Sequence, residues 1–263
     1  MVVTDGARYM KKAIEHIKAN DLVFANVKHV QCLAHMLHNI SDKIRIANPL
    51  VDKYIANIKK FLSKSHSRRK DFLDSTKLDN LPPEPVLTRW GTWLVSAEYH
   101  LENYDRIREF ILGYTPKSDA KSKDELDKLL TKSNVQLKKE FMNLKKYIPL
   151  HKLITKLEAR NLTIDEQMEI IDKARIEILS SNKELTGYMK QTLETNPDLN
   201  TIVSKTNSIS FQTNFHYAPL VSVDVERSFS LYKDLLTSKR TCLNETNIGQ
   251  LLFLKYNRSL CEL

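Results

Sequence analysis

Apolar positions along this chain follow two different periods, and the change between them divides it. At the start, Val2-Val3-Thr4 is short and β-branched and runs into Asp5-Gly6, the mark of a strand closed by a turn. Met10, Ala13, Ile14 and Ile17 then recur at three- and four-residue steps, which predicts a helix. Val27-Lys28-His29-Val30 repeats the strand signal, and Leu33, Met36, Leu37 and Ile40 predict a second helix ending before Pro49. Strands alternating with helices point to part of an α/β sheet.

Beyond residue 50 the strand period fades. Leu50, Tyr54, Ile55, Ile58, Phe61 and Leu62 make one amphipathic face, and Leu81-Pro-Pro-Glu-Pro85 is a rigid break. A long helix is predicted through Leu94, Ala97, Leu101, Tyr104, Arg108 and Ile111, and Lys117 to Lys123 reads as a polar linker. Further helical patterns occupy Leu126 to Leu144, Leu150 to Leu157 and Glu166 to Leu179. Residues 196 to 220, rich in Asn, Ser, Thr and Pro, are expected to be a mobile connection. Val225, Phe229, Tyr232 and Leu236 then form one stripe, with Glu226 and Lys233 off it. After Thr241-Cys-Leu-Asn244, a last helix carries Ile248, Leu251, Leu252, Phe253 and Leu254 on more than one face, so cover from two sides is expected. No repeat of fixed period is visible.

Composition narrows the class. The 263 residues suffice for a sizeable core, and five glycines argue against a loop-rich all-β fold. Lysine and arginine exceed aspartate and glutamate by 41 to 32, a formal charge of +9, which makes a polyanion a plausible partner. Lys59, Lys60, Lys64, Arg68, Arg69 and Lys70 form the densest basic stretch, open to readings as a phosphate-facing surface, a nuclear import signal or a solvated helix end. Cys32, Cys242 and Cys261 stand too far apart for a disulfide framework or a four-cysteine zinc site. No signal sequence or apolar run of membrane-spanning length is present, so an intracellular protein without membrane contact is expected.

Four motifs in order bracket nearly the whole chain. Val225-Glu-Arg-Ser-Phe-Ser230, Leu235-Leu-Thr-Ser-Lys-Arg240 and Leu251-Leu-Phe-Leu254 together resemble the C-terminal dimerisation region of hAT (hobo/Activator-like) transposases. Thr4-Asp5-Gly6-Ala7 resembles that family's segment holding its second catalytic aspartate; Cys32-Leu-Ala-His35 its C-x-x-H motif; and Leu87-Thr-Arg-Trp90 its T-R-W motif. The resemblance implies a mostly α chain with a partial α/β core. That core would be an incomplete ribonuclease H-like fold interrupted by an all-helical insertion, with C-terminal dimerisation helices. Its divisions would be 1–46 (partial core), 47–210 (insertion) and 211–263 (core return and dimerisation region). Phe229, Tyr232, Leu236, Ile248, Leu251, Leu252 and Leu254 would meet a partner. Cys32, His35, Arg89 and Trp90 would lie close to DNA, joined by Lys59, Lys60, Arg68 and Arg69 from the basic stretch.

Phosphoryl transfer on DNA by this fold uses carboxylates that hold two divalent ions about 4 Å apart, and hard oxygen ligands suit Mg2+ or Mn2+. Asp5 and Glu226 match two of the family's three carboxylates; the first belongs upstream of position 1. They are therefore read as vestigial, with a metal needed only in an active form. Plainer readings stand beside these. Asp5 suits a helix N-cap, and Glu226 a helix N-terminus, with Asp224 a rival for any metal role. Cys32 and His35 share a helix face, two zinc ligands short of a site. The tryptophans Trp90 and Trp93 suit either base stacking or anchorage of a helix to the core.

The expected protein is thus a nuclear, domesticated derivative of a transposable element, acting in protein dimerisation and DNA binding without transposition. Its partners would be a second copy or a related transposase-like protein, and DNA, with no small-molecule substrate. Two rivals remain: the C-terminal part of an active transposase, and a purely structural interaction module whose DNA binding would be absent or insensitive to salt.

Overall fold

The computed structural model describes residues 1–86, 91–115, 121–204, 216–236 and 244–257. The fold is mostly helical, with one small parallel sheet of two strands, β1 (Val2–Thr4) and β2 (His29–Gln31), in the register Val2↔His29, Val3↔Val30 and Thr4↔Gln31. Between them runs α1 (Arg8–Asn20), which buries no residue; Tyr9 and Ile17 are exposed on it, and Leu22, Val23 and Phe24 follow, also exposed. The two sequence-predicted strands are therefore real and adjacent, while β1 has no strand on its other edge among the described residues.

Helices α2 (Leu33–Ile46) and α3 (Pro49–Ser63) begin the core, burying Leu33, Met36, Leu37, Ile40 and Ile44 from the first and Val51, Tyr54, Ile55, Ile58, Phe61 and Leu62 from the second. Pro49 suits the first position of α3, where its missing N–H costs nothing. Asn48 gives α3 no side-chain cap; the buried Glu140 instead accepts from the Leu50 and Val51 amides at 2.9 and 3.2 Å. A carboxylate there also meets the positive end of the helix dipole.

Next come α4 (His66–Thr76), α5 (Thr92–Glu102), α6 (Tyr104–Gly113), α7 (Lys121–Thr131), α8 (Asn134–Leu144) and α9 (Leu150–Leu157). The single helix expected from Leu94 to Ile111 is two, broken at Asn103, whose Nδ2 donates back to the Tyr99 carbonyl at 2.9 Å. Lys121 to Lys123, expected in a polar linker, open α7 instead; 117–120 lie outside the described residues. Gly91 enters α5 at φ +70, and a Cβ there would come within 3.2 Å of Ile154 Cδ1.

The chain continues with α10 (Ile164–Lys173), opened by a Thr163–Glu166 capping box and running into a π-helical turn at Ala174–Ile178. Then follow α11 (Lys183–Glu194), α12 (Leu199–Ser204), α13 (Val223–Leu235) and α14 (Glu245–Asn257). One continuous core runs from Val30 to Leu220. The mobile connection expected over 196–220 holds α12 and two bonded stretches; 205–215 lie outside the described residues. Helix α14 packs against α13, yet Phe253 and Leu254 stay exposed, so cover from two sides is not found among the described residues. No helix among the described residues is long and apolar enough to cross a membrane.

Candidate functional site

Two distant pieces of chain meet at the start of α2. The Cys32 amide donates to Thr4 O at 2.7 Å, and the Leu33 amide to Leu220 O at 3.0 Å, so the end of β1 and residues 220–222 flank the same turn. The Ser222 amide donates to Cys32 Sγ at 3.2 Å, and Ser222 Oγ lies 3.5 Å from His35 Nδ1. The C-x-x-H pair thus faces the N-terminus of α13, which Ser222 precedes. Helical spacing accounts for it: positions i and i+3 present both side chains to one neighbour.

The electrostatics of this corner are those of a partly desolvated site. Burial raises the Cys32 thiol, which stays protonated, and lowers the half-buried His35 imidazole; the Asp5 carboxylate opposes the latter shift, which places its charge within reach of the ring. Asp5 Oδ1 accepts from the Ala7 amide at 3.3 Å. The N-cap of α1 is Ala7, so Asp5 closes the turn before the helix rather than capping it. Glu226 lies in the first turn of α13, and its side chain, like that of Asp224, is outside the described residues.

Among the described residues no three His, Cys, Asp or Glu side chains gather to hold a metal ion.

Several polar residues that sequence reasoning missed hold the corner together. Gln167, on α10, donates through Nε2 to Ala218 O at 3.1 Å and accepts from the Leu220 amide through Oε1 at 2.7 Å, while the Ile164 amide bonds His216 O at 3.0 Å. Arg227 Nη2 donates to Glu158 O at 3.1 Å. On the far edge of β2, Asn196 pairs with Gln31 in both directions at 2.9 and 3.0 Å. Asp198 accepts from the His29 amide at 2.8 Å, and its amide donates to His29 O at 3.0 Å. Thr4 Oγ1 lies 2.8 Å from His29 Nε2 and donates to Asp5 O at 2.9 Å, which leaves the imidazole N–H as donor in that buried pair. The turn chemistry of Asn196-Pro197-Asp198 is the one sequence signal that points to any of this.

The remaining expected residues divide. Arg68 is 6% exposed: Nη1 donates to Phe61 O at 2.7 Å and the guanidinium lies 4.3 Å from the Phe61 ring, so its place is under the end of α3 and not on a nucleic-acid surface. Lys59 pairs with Glu84 at 2.9 Å, Lys60 is exposed, and Arg69 is half-buried. Arg89 and Trp90 lie outside the described residues. Trp93 anchors its helix, donating through Nε1 to Asp52 Oδ1 at 2.9 Å. On the C-terminal pair, Phe229, Tyr232, Leu236 and Leu254 are exposed, while Ile248, Leu251 and Leu252 are half-buried.

No protein-family model matches the sequence, and the curated proteins give no match to it.

Proposed function

We propose that this chain is a hAT-type, transposase-derived protein that works by self-association through α13 and α14 and by binding DNA in the nucleus, without strand transfer. One observation carries the association: Val225, Phe229, Tyr232, Leu236, Phe253 and Leu254 are all exposed on the last two helices, Phe229 and Phe253 at 61% and 68%. Large apolar groups gathered on one helix pair are the composition of an interface. The net charge of +9 and the exposed Lys60, Lys64 and Lys70 support a polyanionic partner. On this reading the β1–β2 unit belongs to a ribonuclease H-like core and the helices from α3 to α12 to its insertion.

Light scattering over a range of concentration tests the association, and duplex binding titrated with salt tests the DNA. A mass twice that of the chain and an affinity falling steeply with salt are expected; a monomer at every concentration, or binding indifferent to salt, overturns the corresponding half. The approach of Asp5 and of Ser222, just ahead of α13, to His35 favours a second reading, the C-terminal part of an active metal-dependent transposase. That reading needs a further carboxylate and predicts Mn2+ binding that Asp5→Asn abolishes.

A further inference from the structure

A cleft of about 610 Å³ opens where the C-terminal end of α2, the end of α8 and the N-terminal end of α11 come together. Ile44, Ile46, Ala47 and Leu185 supply its apolar lining, and Ile46 is 69% exposed there. Clefts that hold small molecules run to roughly 300–1,000 Å³, mostly apolar with a few polar groups to fix orientation. An inorganic ion would fill only a corner of this one.

Two lysines line it from different elements, Lys43 on α2 and the exposed Lys146 in the 3₁₀ turn that follows α8. The Lys43 ammonium lies 4.9 Å from the centre of the Tyr188 ring, and that of Lys146 4.8 Å from the Tyr147 ring. A ring holds an ammonium in place without cancelling its charge. Lys146 spends one proton on Ser181 Oγ at 3.1 Å, and neither lysine pairs with a carboxylate among the described residues. Lys145 and Lys183, both exposed and next in sequence to lining residues, add positive charge against the lining carboxylate of Glu184. The occupant is therefore an anion with several oxygens to share between two ammonium groups, which suits a phosphate. Asn182 is spent: Oδ1 accepts from the Glu184 and Leu185 amides and Nδ2 donates to Tyr147 Oη, each at 3.1 Å. The side chain of Asn143, also in the lining, is exposed and bonds no described residue. Its amide offers a donor beside an acceptor, the complement of an adenine edge.

We propose that this cleft binds a nucleotide 5′-monophosphate, its phosphate between the ammonium groups of Lys43 and Lys146 and its base against Ile44, Ile46 and Leu185, with one edge bonded to Asn143. None of these residues belongs to α13, to α14 or to the basic stretch at 59–70, so the site stands whether or not the transposase-derived reading holds.

The test is methyl NMR of the full chain, isoleucine-labelled and titrated with adenosine 5′-monophosphate, with adenosine, or with sodium sulfate at matched ionic strength. Saturable shifts at the Ile44 and Ile46 methyls are expected with the nucleotide, binding about tenfold weaker with adenosine, and no saturable shift with sulfate. Lys146→Gln changes an exposed residue, so it should keep the fold and weaken the nucleotide by about tenfold, the worth of one charge-assisted hydrogen bond. Lys43→Gln should act in the same direction. A short deoxyadenylate strand identifies the source: tighter binding at the same methyls than the mononucleotide places the nucleotide in a strand, and equal or weaker binding makes it a free one. No saturable shift with the nucleotide overturns the proposal. So do equal affinities for nucleotide and adenosine, a sulfate response that matches the nucleotide's and marks an adventitious ion only, or unchanged affinity in folded Lys146→Gln.

Discussion

The Ser222 amide donates to Cys32 Sγ at 3.2 Å across 190 residues of sequence, joining the N-terminus of α13 to the turn that follows β2. Half of the C-x-x-H pair therefore acts through its acceptor capacity and its burial. Cys32→Ala removes that acceptor, and the amide of Ser222 should exchange faster with solvent while the rest of the core keeps its protection. A loss of about 1–2 kcal/mol in urea unfolding is expected. Because burial holds the thiol protonated, native Cys32 should resist alkylation until the chain unfolds.

Gln167 makes a stronger demand. Its amide serves both Ala218 O and the buried Leu220 N–H, so Gln167→Leu leaves a main-chain donor and an acceptor without partners in the core. A cost of roughly 2–4 kcal/mol follows from two unpaired groups. Hydrogen exchange should show 216–222 released first, whereas Gln167→Glu, which keeps an acceptor for Leu220, should retain part of that protection.

The stability of these contacts explains what could and could not be read from the sequence. Helices α2 and α3 were legible because their inward residues are apolar and evenly spaced. Helix α4 was not, since Arg68, Phe72 and Thr76 make up its buried side and two of the three are polar. The break at Asn103 is hidden by an apolar period that continues through Leu101 and Tyr104. Asn196 and Gln31 lie 165 residues apart, and nothing local announces that a side chain will complete the edge of a strand. At the candidate site, charge density alone did not reveal that Arg68 turns inward while Lys60 faces out.

That division of the basic stretch is measurable. Arg68→Met should cost about 2–3 kcal/mol, from a lost charge-assisted bond to Phe61 O and a lost contact with its ring, and should leave the salt dependence of DNA binding unchanged. Replacing Lys60, Lys64 and Lys70 by glutamine should do the reverse. Each phosphate contact removed lowers the slope of log affinity against log salt by about one, with unfolding unaffected. Fluorescence anisotropy with a short duplex reads the slope.

Acid should weaken the fold well above the carboxylate range. Burial lowers His29 and His35 and takes His100 to about 3. For a base held neutral in the folded state, the unfolded chain binds protons first. The stability is complete above about 6.5 and is lost as pH falls from there towards the folded value. Urea midpoints should therefore drop between about pH 7 and pH 5. In His100→Phe, which keeps a ring against Tyr54, that drop should shrink, since one of the three titrating imidazoles is gone. A pH profile identical to that of the native chain would remove His100 from the account.

The C-terminal helices admit a variant that separates association from folding. Leu251 and Leu252 are half-buried on α14, so an acidic residue at either disturbs the α13–α14 packing as well as any partner. Phe229 and Leu254 are exposed, and a charge at either meets water in the monomer. Phe229→Asp and Leu254→Asp should each leave the unfolding midpoint within about 0.5 kcal/mol of native, the usual range for surface changes. In a dimer the same charge is carried into an apolar interface without a counterion, and dissociation should strengthen by at least tenfold, more than about 1.4 kcal/mol. Light scattering with circular dichroism on one sample distinguishes the outcomes. Monomers with native helix content place the interface on α13 and α14, and dimers that survive both changes move it elsewhere.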